Sequence, residues 1–373
     1  MLEKRFDIKL KGLEECLERI AANAPNIDDP QKSPVKEFLW LAECGALKIV
    51  LPGERLDFQQ PDTAALLNLL KRIGKANLSV GRIYEGHINA LYLIHLYGTA
   101  VQKRIWYDAV TDEHAIFGVW STQGANGITC ENEPGQLRLQ GAKTFCSGVS
   151  IVTHALITGN IETSTRKGWQ MMILKMTRIE PERVDRNSWV TLGMKASGSF
   201  TTDFTGSHVL EDELLGMPGD FLGQPYFNGG AIRFAAVQFG GAEAILHQTL
   251  EYLVDLGRTS DPFQKARLAK MAVDITTGDL WLQQAGRKFD YLVNYPERSG
   301  ELIAFANMTR TVIEEIGLRV MQASNTCVGA RGLMPPSPLE RLNRDLTFYL
   351  RQPAPDATRL AIADYFINRF PEI

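Results

Sequence analysis

The sequence lacks the short motifs that identify common nucleotide-binding and hydrolase sites. No G-x-G-x-x-G follows a strand-like segment, and no G-x-x-x-x-G-K-[ST] occurs in the 373 residues. Those motifs bring glycine backbone and a lysine against phosphate groups, so the usual dinucleotide fingerprint and the P-loop are excluded. The G-x-S-x-G nucleophile elbow of α/β-hydrolases is also missing.

Cysteine is scarce and neither sign of charge dominates. The five cysteines are odd in number and far apart, with no C-x-x-C pair, so neither a zinc site nor a disulfide framework is predicted. We therefore expect reduced thiols in a cytoplasmic protein. The net charge of −3 provides no field to attract nucleic acid or an anionic membrane.

Long apolar runs and metal-ligand clusters are absent too. No uninterrupted apolar stretch reaches the roughly 20 residues that a membrane span needs. The first residues, MLEKRFDIKLKGLEE, carry charges where a signal peptide needs an apolar run. His87 and His95 are separated by about 12 Å along one predicted helix. They cannot share a metal ion, so no metal site is predicted.

The helix and strand patterns that are present divide the chain into three parts. The stretch ALLNLLKRIG predicts a helix that stops at Gly74, and IYEGHINALYLIHLYG predicts one that ends at Gly98. We predict an N-terminal helical domain over 1–115, a middle β-domain over 116–211 and a C-terminal helical bundle over 212–373. The middle runs are short, rich in aromatic and β-branched residues, and separated by turn residues.

The predicted fold class is α+β. It combines an all-α N-terminal domain, an antiparallel β-sandwich or barrel, and a C-terminal four-helix bundle, because the last helical patterns are long. The run GGAIRFAAVQFGGAEA is dense in small residues, which let helices approach closely within the chain or between subunits.

The chain resembles the acyl-CoA dehydrogenase family over nearly its whole length, and four stretches carry the resemblance. They are FGVWSTQGANG, LQGAKTFCSG, WVTLGMKASGSFTTDFTGSHV and CVGARGLMPPSPLERLNRDL. In that family, three domains of this order hold a flavin between the β-domain and the bundle. The resemblance implies FAD as cofactor and a homodimer or homotetramer. FMN is the alternative, because the family's Arg-x-x-Phe-Gly, which grips the dinucleotide, is missing here.

The resemblance also implies which residues hold the flavin. An isoalloxazine ring has an apolar end and a polar end that needs hydrogen-bond donors. Hydroxyl groups, backbone N–H groups and one aromatic ring are expected to meet these needs. The predicted cofactor-binding residues are Trp120, Ser121, Thr122, Phe145, Ser147, Arg258, Gly329 and Ala330. Of these, the last two lie where a neighbouring subunit's backbone approaches the cofactor, and Arg258 replaces the missing arginine motif.

A dehydrogenase acting on the CH–CH group of an acyl thioester needs a carboxylate base beside the substrate. The two positions at which family members carry that glutamate are occupied here by Pro353 and Ile232. Asp356 and Glu340 are the carboxylates that could replace the missing base if either moved into the site. Ile128 stands where the family often has a serine that touches the pantetheine of coenzyme A.

These departures resemble a sister branch of the same fold, whose members are monooxygenases that receive reduced flavin from a partner reductase. His87 is similar to a histidine on their helix before the β-domain, and Arg351 stands in place of a histidine near their C-terminus. Both are catalytic candidates.

Three hypotheses follow from the resemblance. The first is an acyl-CoA dehydrogenase-like oxidoreductase, which needs an electron acceptor. The second is a two-component N- or S-monooxygenase that acts on a small tailored metabolite. The third is a non-catalytic flavin-binding protein.

Overall fold

The computed structural model describes residues 10–133, 136–351 and 354–371. The helices are α1 Leu13–Asn23, α2 Val35–Glu43, α3 Thr63–Ala76, α4 Leu78–Tyr97, α5 Ala100–Glu113, α6 Tyr226–Gly229, α7 Ala231–Asp255, α8 Pro262–Leu292, α9 Ser299–Gly332, α10 Pro338–Tyr349 and α11 Pro355–Ile367. The strands are β1 Phe117–Trp120, β2 Thr129–Glu133, β3 Gln136–Gln140, β4 Ala142–Cys146, β5 His154–Glu162, β6 Lys167–Lys175, β7 Val184–Asp185, β8 Phe200–Asp203, β9 His208–Val209 and β10 Leu214–Leu215. This order confirms the predicted succession of helices, strands and helices. The domain boundaries stay a prediction.

Side-chain caps explain where the central N-terminal helices begin. Asp62 accepts a hydrogen bond from the backbone N–H of Ala65 at the start of α3. Asn77 accepts from the N–H groups of Ser79 and Val80 at the start of α4. These caps satisfy N–H groups that a first helical turn leaves without an intrahelical partner. Helix α4 therefore begins directly after α3, and it packs against β1 of the larger sheet.

The sheets are mixed in direction. The larger sheet has the order β10–β6–β5–β2–β3–β9 with β1 also on β5, and the smaller has the order β4–β8–β7. Strand β5 is antiparallel to β6 but parallel to β1 and β2, whereas the sequence analysis predicted antiparallel pairing throughout. The parallel pairs arise because β1 and β2 follow one another along the same edge of β5. Trp120 lies opposite Ile157 and Thr129 opposite Asn160, so the loop over 121–128 projects from the sheet.

Helices α3 and α7 pack against each other at very close range. A Cβ atom on Gly240 would collide with the carbonyl oxygen of Lys71, and one on Gly74 would collide with that of Val237. Only glycine allows the two backbones to approach so closely. The close approach predicted from the run of small residues is therefore confirmed. The predicted helix end at Gly74 is wrong, because this glycine is a packing contact and α3 continues to Ala76.

The long C-terminal helices pack on one another. Helices α7, α8 and α9 are mutual neighbours, and α10 lies against α7 and α9. Helix α9 is interrupted at Gly329, whose φ of 62° is left-handed. No helix among the described residues is both long enough and apolar enough to cross a bilayer.

Candidate active site

The turn after β1 and the end of β4 lie side by side. The Thr144 N–H donates to the carbonyl oxygen of Thr122 at 3.1 Å, and the Trp120 indole N–H donates to that of Ser147 at 3.1 Å. Thr122 is exposed, whereas Trp120 and Ser147 are buried. Predicted cofactor residues from two separate stretches are thus brought together. The Trp120 ring, however, supports the site from within the core.

Lys143 anchors the turn after β1. Its fully buried ammonium group donates to the carbonyl oxygen of Ser121 at 3.1 Å and to Gln123 Oε1 at 2.9 Å. It also lies 4.8 Å from the centre of the Trp169 ring. Burial lowers the pKa of Lys143 to about 8, because a low-dielectric environment penalises the charged form. Sequence reasoning missed its role, since a lysine in a strand pattern does not reveal that its side chain turns inward.

Phe145 presents an aromatic ring at the surface of this site. The residue is 42% exposed, and its φ of 56° is left-handed. Its ring meets Trp189 edge-on at 5.8 Å, and Trp189 meets Phe348 of α10 at 5.5 Å. Non-glycine residues rarely adopt this backbone conformation, and such strain concentrates at functional sites. The aromatic series links the β-domain to α10 and leaves part of the Phe145 ring open to a ligand.

A series of hydroxyl groups ends at Ser147. Ser199 Oγ donates to Ser147 Oγ at 2.9 Å, and Ser197 Oγ lies 2.8 Å from Ser199 Oγ. Ser197 Oγ is also 2.8 Å from the carbonyl oxygen of Met194, which can accept its proton. All three serines are buried. Because Ser199 donates to Ser147, the Ser147 hydroxyl keeps its own proton for a bound group.

Helix α10 is fixed to the β-domain by buried charge. The Asp345 carboxylate accepts a hydrogen bond from the Met194 N–H at 2.6 Å and pairs with Arg341 at 3.3 Å. Arg344 donates to the carbonyl oxygen of Leu192 at 3.0 Å. These contacts fix α10 against the loop that contains Leu192 and Met194.

A polar cluster occupies the contact between α4 and α7. Arg82 Nη1 lies 2.6 Å from Glu85 Oε2, and the Asn89 amide donates to the other Glu85 oxygen. Arg233 Nε donates to Asn89 Oδ1 at 2.5 Å. These four residues form the α4–α7 cluster. Sequence reasoning did not find it, because its two arginines lie on helices far apart in the chain.

His87 lies in the core between α4 and the start of β1. Its Nε2–H donates to the carbonyl oxygen of Leu47 at 2.8 Å, and its Nδ1 accepts from the Phe117 N–H at 3.1 Å. The residue is fully buried, and burial lowers the pKa of His87 to about 4. Both ring nitrogens are therefore engaged by backbone, with the ring neutral at physiological pH. This geometry favours a supporting role over the predicted catalytic one.

The second catalytic candidate, Arg351, lies at the exposed end of α10. Its guanidinium group pairs with Glu314 of α9 at 2.6 Å. That pair ties the chain after α10 to α9. Pro353, which stands at one predicted base position, lies outside the described residues.

The other position for a dehydrogenase base carries an apolar side chain. Ile232 is 1% exposed on α7. Asp356 is solvent-exposed and lies 3.8 Å from Arg359, and Glu340 pairs with Arg344 at 2.5 Å. Both carboxylates are therefore paired with arginines of their own helices, and a role of either as the base stays a prediction. Ile128 is fully buried.

Three predicted cofactor residues lie elsewhere in the chain. Arg258 is exposed in the connection between α7 and α8, and Gly329 and Ala330 are exposed at the interruption of α9. Among the described residues, no backbone hydrogen bond joins any of these three to Thr122 or Ser147. Their assignment to a cofactor bound across a subunit interface stays a prediction.

Comparisons with known sequences agree with this architecture. Residues 223–350 match the family described as Acyl-CoA dehydrogenase, C-terminal domain. Dibenzothiophene monooxygenase of Rhodococcus erythropolis is 22% identical over 360 residues, covering 88% of this chain and 86% of the relative. Putative acyl-CoA dehydrogenase YdbM of Bacillus subtilis (strain 168) is 23% identical over 354 residues, covering 88% of each.

Solved structures share the whole fold. FMN-bound TdsC from Paenibacillus sp. A11-2 superposes with a TM-score of 0.86 at 19% identity, covering 96% of this chain and 97% of that one. Methanesulfinate monooxygenase MsuC from Pseudomonas fluorescens gives a TM-score of 0.80 at 18% identity, covering 97% of each chain. These findings confirm the predicted fold and the predicted family resemblance.

Proposed function

We propose that this chain, whose residues 223–350 match the acyl-CoA dehydrogenase C-terminal domain family, is a reduced-flavin-dependent monooxygenase. It inserts oxygen at a nitrogen or sulfur atom of a small molecule. One observation carries the proposal. Of the two positions for a dehydrogenase base, the one that lies among the described residues is occupied by the buried Ile232. An α-proton cannot be removed without a base, whereas oxygen insertion needs none at that place. The monooxygenase names of several relatives support the same choice.

The residues at the ends of β1 and β4 fit a flavin. The partly exposed Phe145 ring offers an apolar face, and the Ser147 hydroxyl keeps a proton to donate. The exposed Thr122 hydroxyl lies on the neighbouring turn. We propose that these three side chains hold the ring. When bound in its reduced form, the flavin supplies electrons and reacts with dioxygen.

The chain's own side chains position the reactants and control water. Lys143 fixes the Ser121 carbonyl group, and with it the turn that carries Thr122. The Ser147–Ser199 bond orients the hydroxyl proton toward a ligand, because Ser199 fills one acceptor position. The aromatic series through Trp189 covers the site from the side of α10.

We propose FMN as the natural cofactor, with FAD as the alternative. Binding the adenine half of FAD would need a cationic grip such as Arg258, which is exposed and far along the chain from Thr122. TdsC, which shares the fold of this chain, has been crystallised with FMN bound. A flavin reductase is the expected partner, since the proposed reaction consumes reduced flavin. We also propose a homodimer or homotetramer.

Oxygen insertion can be tested directly. The purified protein is mixed with photoreduced FMN and ¹⁸O₂ in the presence of dibenzothiophene or methanesulfinate, the second of which is a sulfur compound that carries an oxyanion. We expect a product carrying one ¹⁸O atom, identified by mass spectrometry, and none when the protein is left out. In a parallel anaerobic sample with FAD, octanoyl-CoA should leave the flavin absorbance unchanged. Bleaching by octanoyl-CoA together with no labelled product would favour a dehydrogenase. Flavin binding without either reaction would favour a non-catalytic protein.

The placement of the flavin predicts the effect of removing two hydroxyl groups. A Thr122→Ala, Ser147→Ala double variant loses two hydrogen bonds to the ring, each worth about 1 kcal/mol. We expect the affinity for FMN to fall roughly tenfold or more, measured by fluorescence titration. A Thr276→Ala, Thr277→Ala variant is the control, because those hydroxyls bond only their own helix α8. Equal affinity in the two double variants would show that the ring binds elsewhere.

A further inference from the structure

The α4–α7 cluster contains more positive than negative charge. Its members are the guanidinium groups of Arg82 and Arg233, the carboxylate of Glu85 and the amide of Asn89. Glu85 is 3% exposed and Arg233 is 7% exposed. Both oxygens of Glu85 are engaged, one by Arg82 and one by Asn89. The carboxylate therefore compensates one arginine and leaves the second without an ion pair.

Arg233 is the uncompensated member. Among the described residues, no carboxylate oxygen lies within 4.0 Å of its guanidinium nitrogens, and its Nε bonds a neutral amide. Its guanidinium carbon lies 4.8 Å from the centre of the Tyr92 ring. Burial lowers the pKa of Arg233, yet arginine remains charged at any physiological pH. A buried charge without a counter-ion is costly, so the protein is expected to gain from an anion at this place.

Ion pairs elsewhere between the N-terminal helices and the bundle show what a purely structural network looks like here. Lys71 pairs with Asp279 at 2.8 Å, and Lys75 pairs with Glu243 at 2.8 Å. In that network each of the two lysines lies within 4.0 Å of a carboxylate oxygen. The imbalance of the α4–α7 cluster is thus not a general feature of the contact between the N-terminal helices and the bundle.

A second observation points to a missing ligand. The hydroxyl of Tyr349, at the end of α10, is buried and has no hydrogen-bond partner among the described residues. The backbone carbonyl oxygen of Tyr349 accepts a hydrogen bond from Gln238 of α7 at 2.9 Å, and the charges of Arg82 and Glu85 act on the pKa of its phenol. An unpaired buried hydroxyl is rare and costs free energy comparable to a lost hydrogen bond. It can donate to an anion that the arginines attract.

The cluster also adjoins the proposed flavin site. A Cβ atom on Gly86 would lie 3.7 Å from Arg82 Nη1 and 4.0 Å from the backbone nitrogen of Val119. Val119 belongs to β1, the strand that leads into Thr122. The Arg82 side chain is 26% exposed, so the cluster is not sealed from solvent.

We infer that the α4–α7 cluster binds a singly charged oxyanion, a carboxylate, sulfinate or sulfonate group, on the substrate. Arg233 and Arg82 provide the charge, and Tyr349 provides a neutral donor. The anion would anchor one end of the substrate while another atom lies at the flavin. The role of the anion in turnover rests on the proposed function. The binding of the anion to the cluster can be measured without turnover.

The test uses the whole protein and a panel of probes. Acetate, benzoate and methanesulfonate are titrated into the FMN-loaded protein by calorimetry, with benzamide as the uncharged analogue of benzoate. We expect at least one oxyanion to bind at least tenfold more tightly than benzamide. The Arg233→Gln variant should lose at least tenfold in that affinity, and the Arg104→Gln variant, which changes an exposed arginine on α5, should lose none.

The outcomes are distinct. No preference of the wild-type protein for any oxyanion over benzamide would overturn the inference without any variant. Equal affinities in Arg233→Gln and Arg104→Gln would overturn it as well. If Arg233→Gln fails to fold, Arg82→Gln serves the same comparison. Oxyanion binding without ¹⁸O incorporation would refute only the monooxygenase proposal, and ¹⁸O incorporation without oxyanion binding would refute only this inference.

Discussion

Replacing Lys143 with methionine should remove a rise in stability that the wild-type protein gains between pH 8 and pH 10.5. Burial lowers the pKa of Lys143 from 10.5 to about 8 in the folded state. Between these two values the unfolded chain binds a proton that the folded protein does not, so the free energy of unfolding increases with pH. Below pH 8 both states are protonated, and the folded state bears the full cost of the buried ammonium group.

The expected size of this effect is large. A pKa lowered from 10.5 to about 8 corresponds to about 3 kcal/mol across the window. The measurement is urea unfolding of the wild-type protein and Lys143→Met at several pH values from 7.5 to 10.5. Tyrosine and cysteine residues titrate in both proteins, so they cancel in the difference. Lys36→Met, which changes an exposed lysine on α2, should follow the wild-type curve.

A flat difference between the wild-type and Lys143→Met curves would mean that Lys143 keeps an ordinary pKa in the folded protein, as a solvated ammonium group does. The bonds from its ammonium group to Ser121 and Gln123 would then not explain how the turn after β1 is held. This outcome would remove one support for the proposed flavin site, because Thr122 follows directly on that turn.

The fold predictions depended on local patterns in the sequence. Helical periodicity, glycine-rich stretches and short strand runs sufficed for the order of helices and strands, because each depends on neighbours in the chain. The parallel pairing of β5 with β1 and β2 was not predictable in this way. It depends on which edge of β5 remains free once β6 has paired with the other.

The same distinction between local and distant contacts applies to the candidate site. Thr122 and Ser147 were found because they lie in short family-like motifs, and the structure brings the two motifs together. The pairing of Arg233 with Asn89 was not found, because it joins helices that are distant in sequence. The sequence also suggested a catalytic role for His87, because histidine is a common acid–base residue. The backbone groups that bond both of its ring nitrogens could not be predicted from the sequence.

The second large effect is expected from a single methyl group at the crossing of α3 and α7. In a Gly240→Ala variant, the new Cβ atom would collide with the backbone carbonyl oxygen of Lys71. Backbone atoms cannot rotate away as a side chain can, so the helices must separate. Overpacking of this kind typically costs about 1–3 kcal/mol. Alanine gains about 1 kcal/mol of helix propensity over glycine, so we expect a net loss of up to about 2 kcal/mol.

Gly300→Ala is the matched control, because Gly300 also lies in a long helix but its added Cβ would have no atom nearer than a Tyr365 ring carbon at 3.8 Å. Its free energy of unfolding should stay unchanged or rise slightly. Equal urea midpoints for the two variants would show that α3 and α7 can move apart at little cost.

Arg233 lies two turns before Gly240 on α7, so a forced separation should also move its guanidinium group relative to Glu85 and Asn89. Gly240→Ala is therefore expected to weaken oxyanion binding as well as stability, whereas Gly300→Ala should weaken neither.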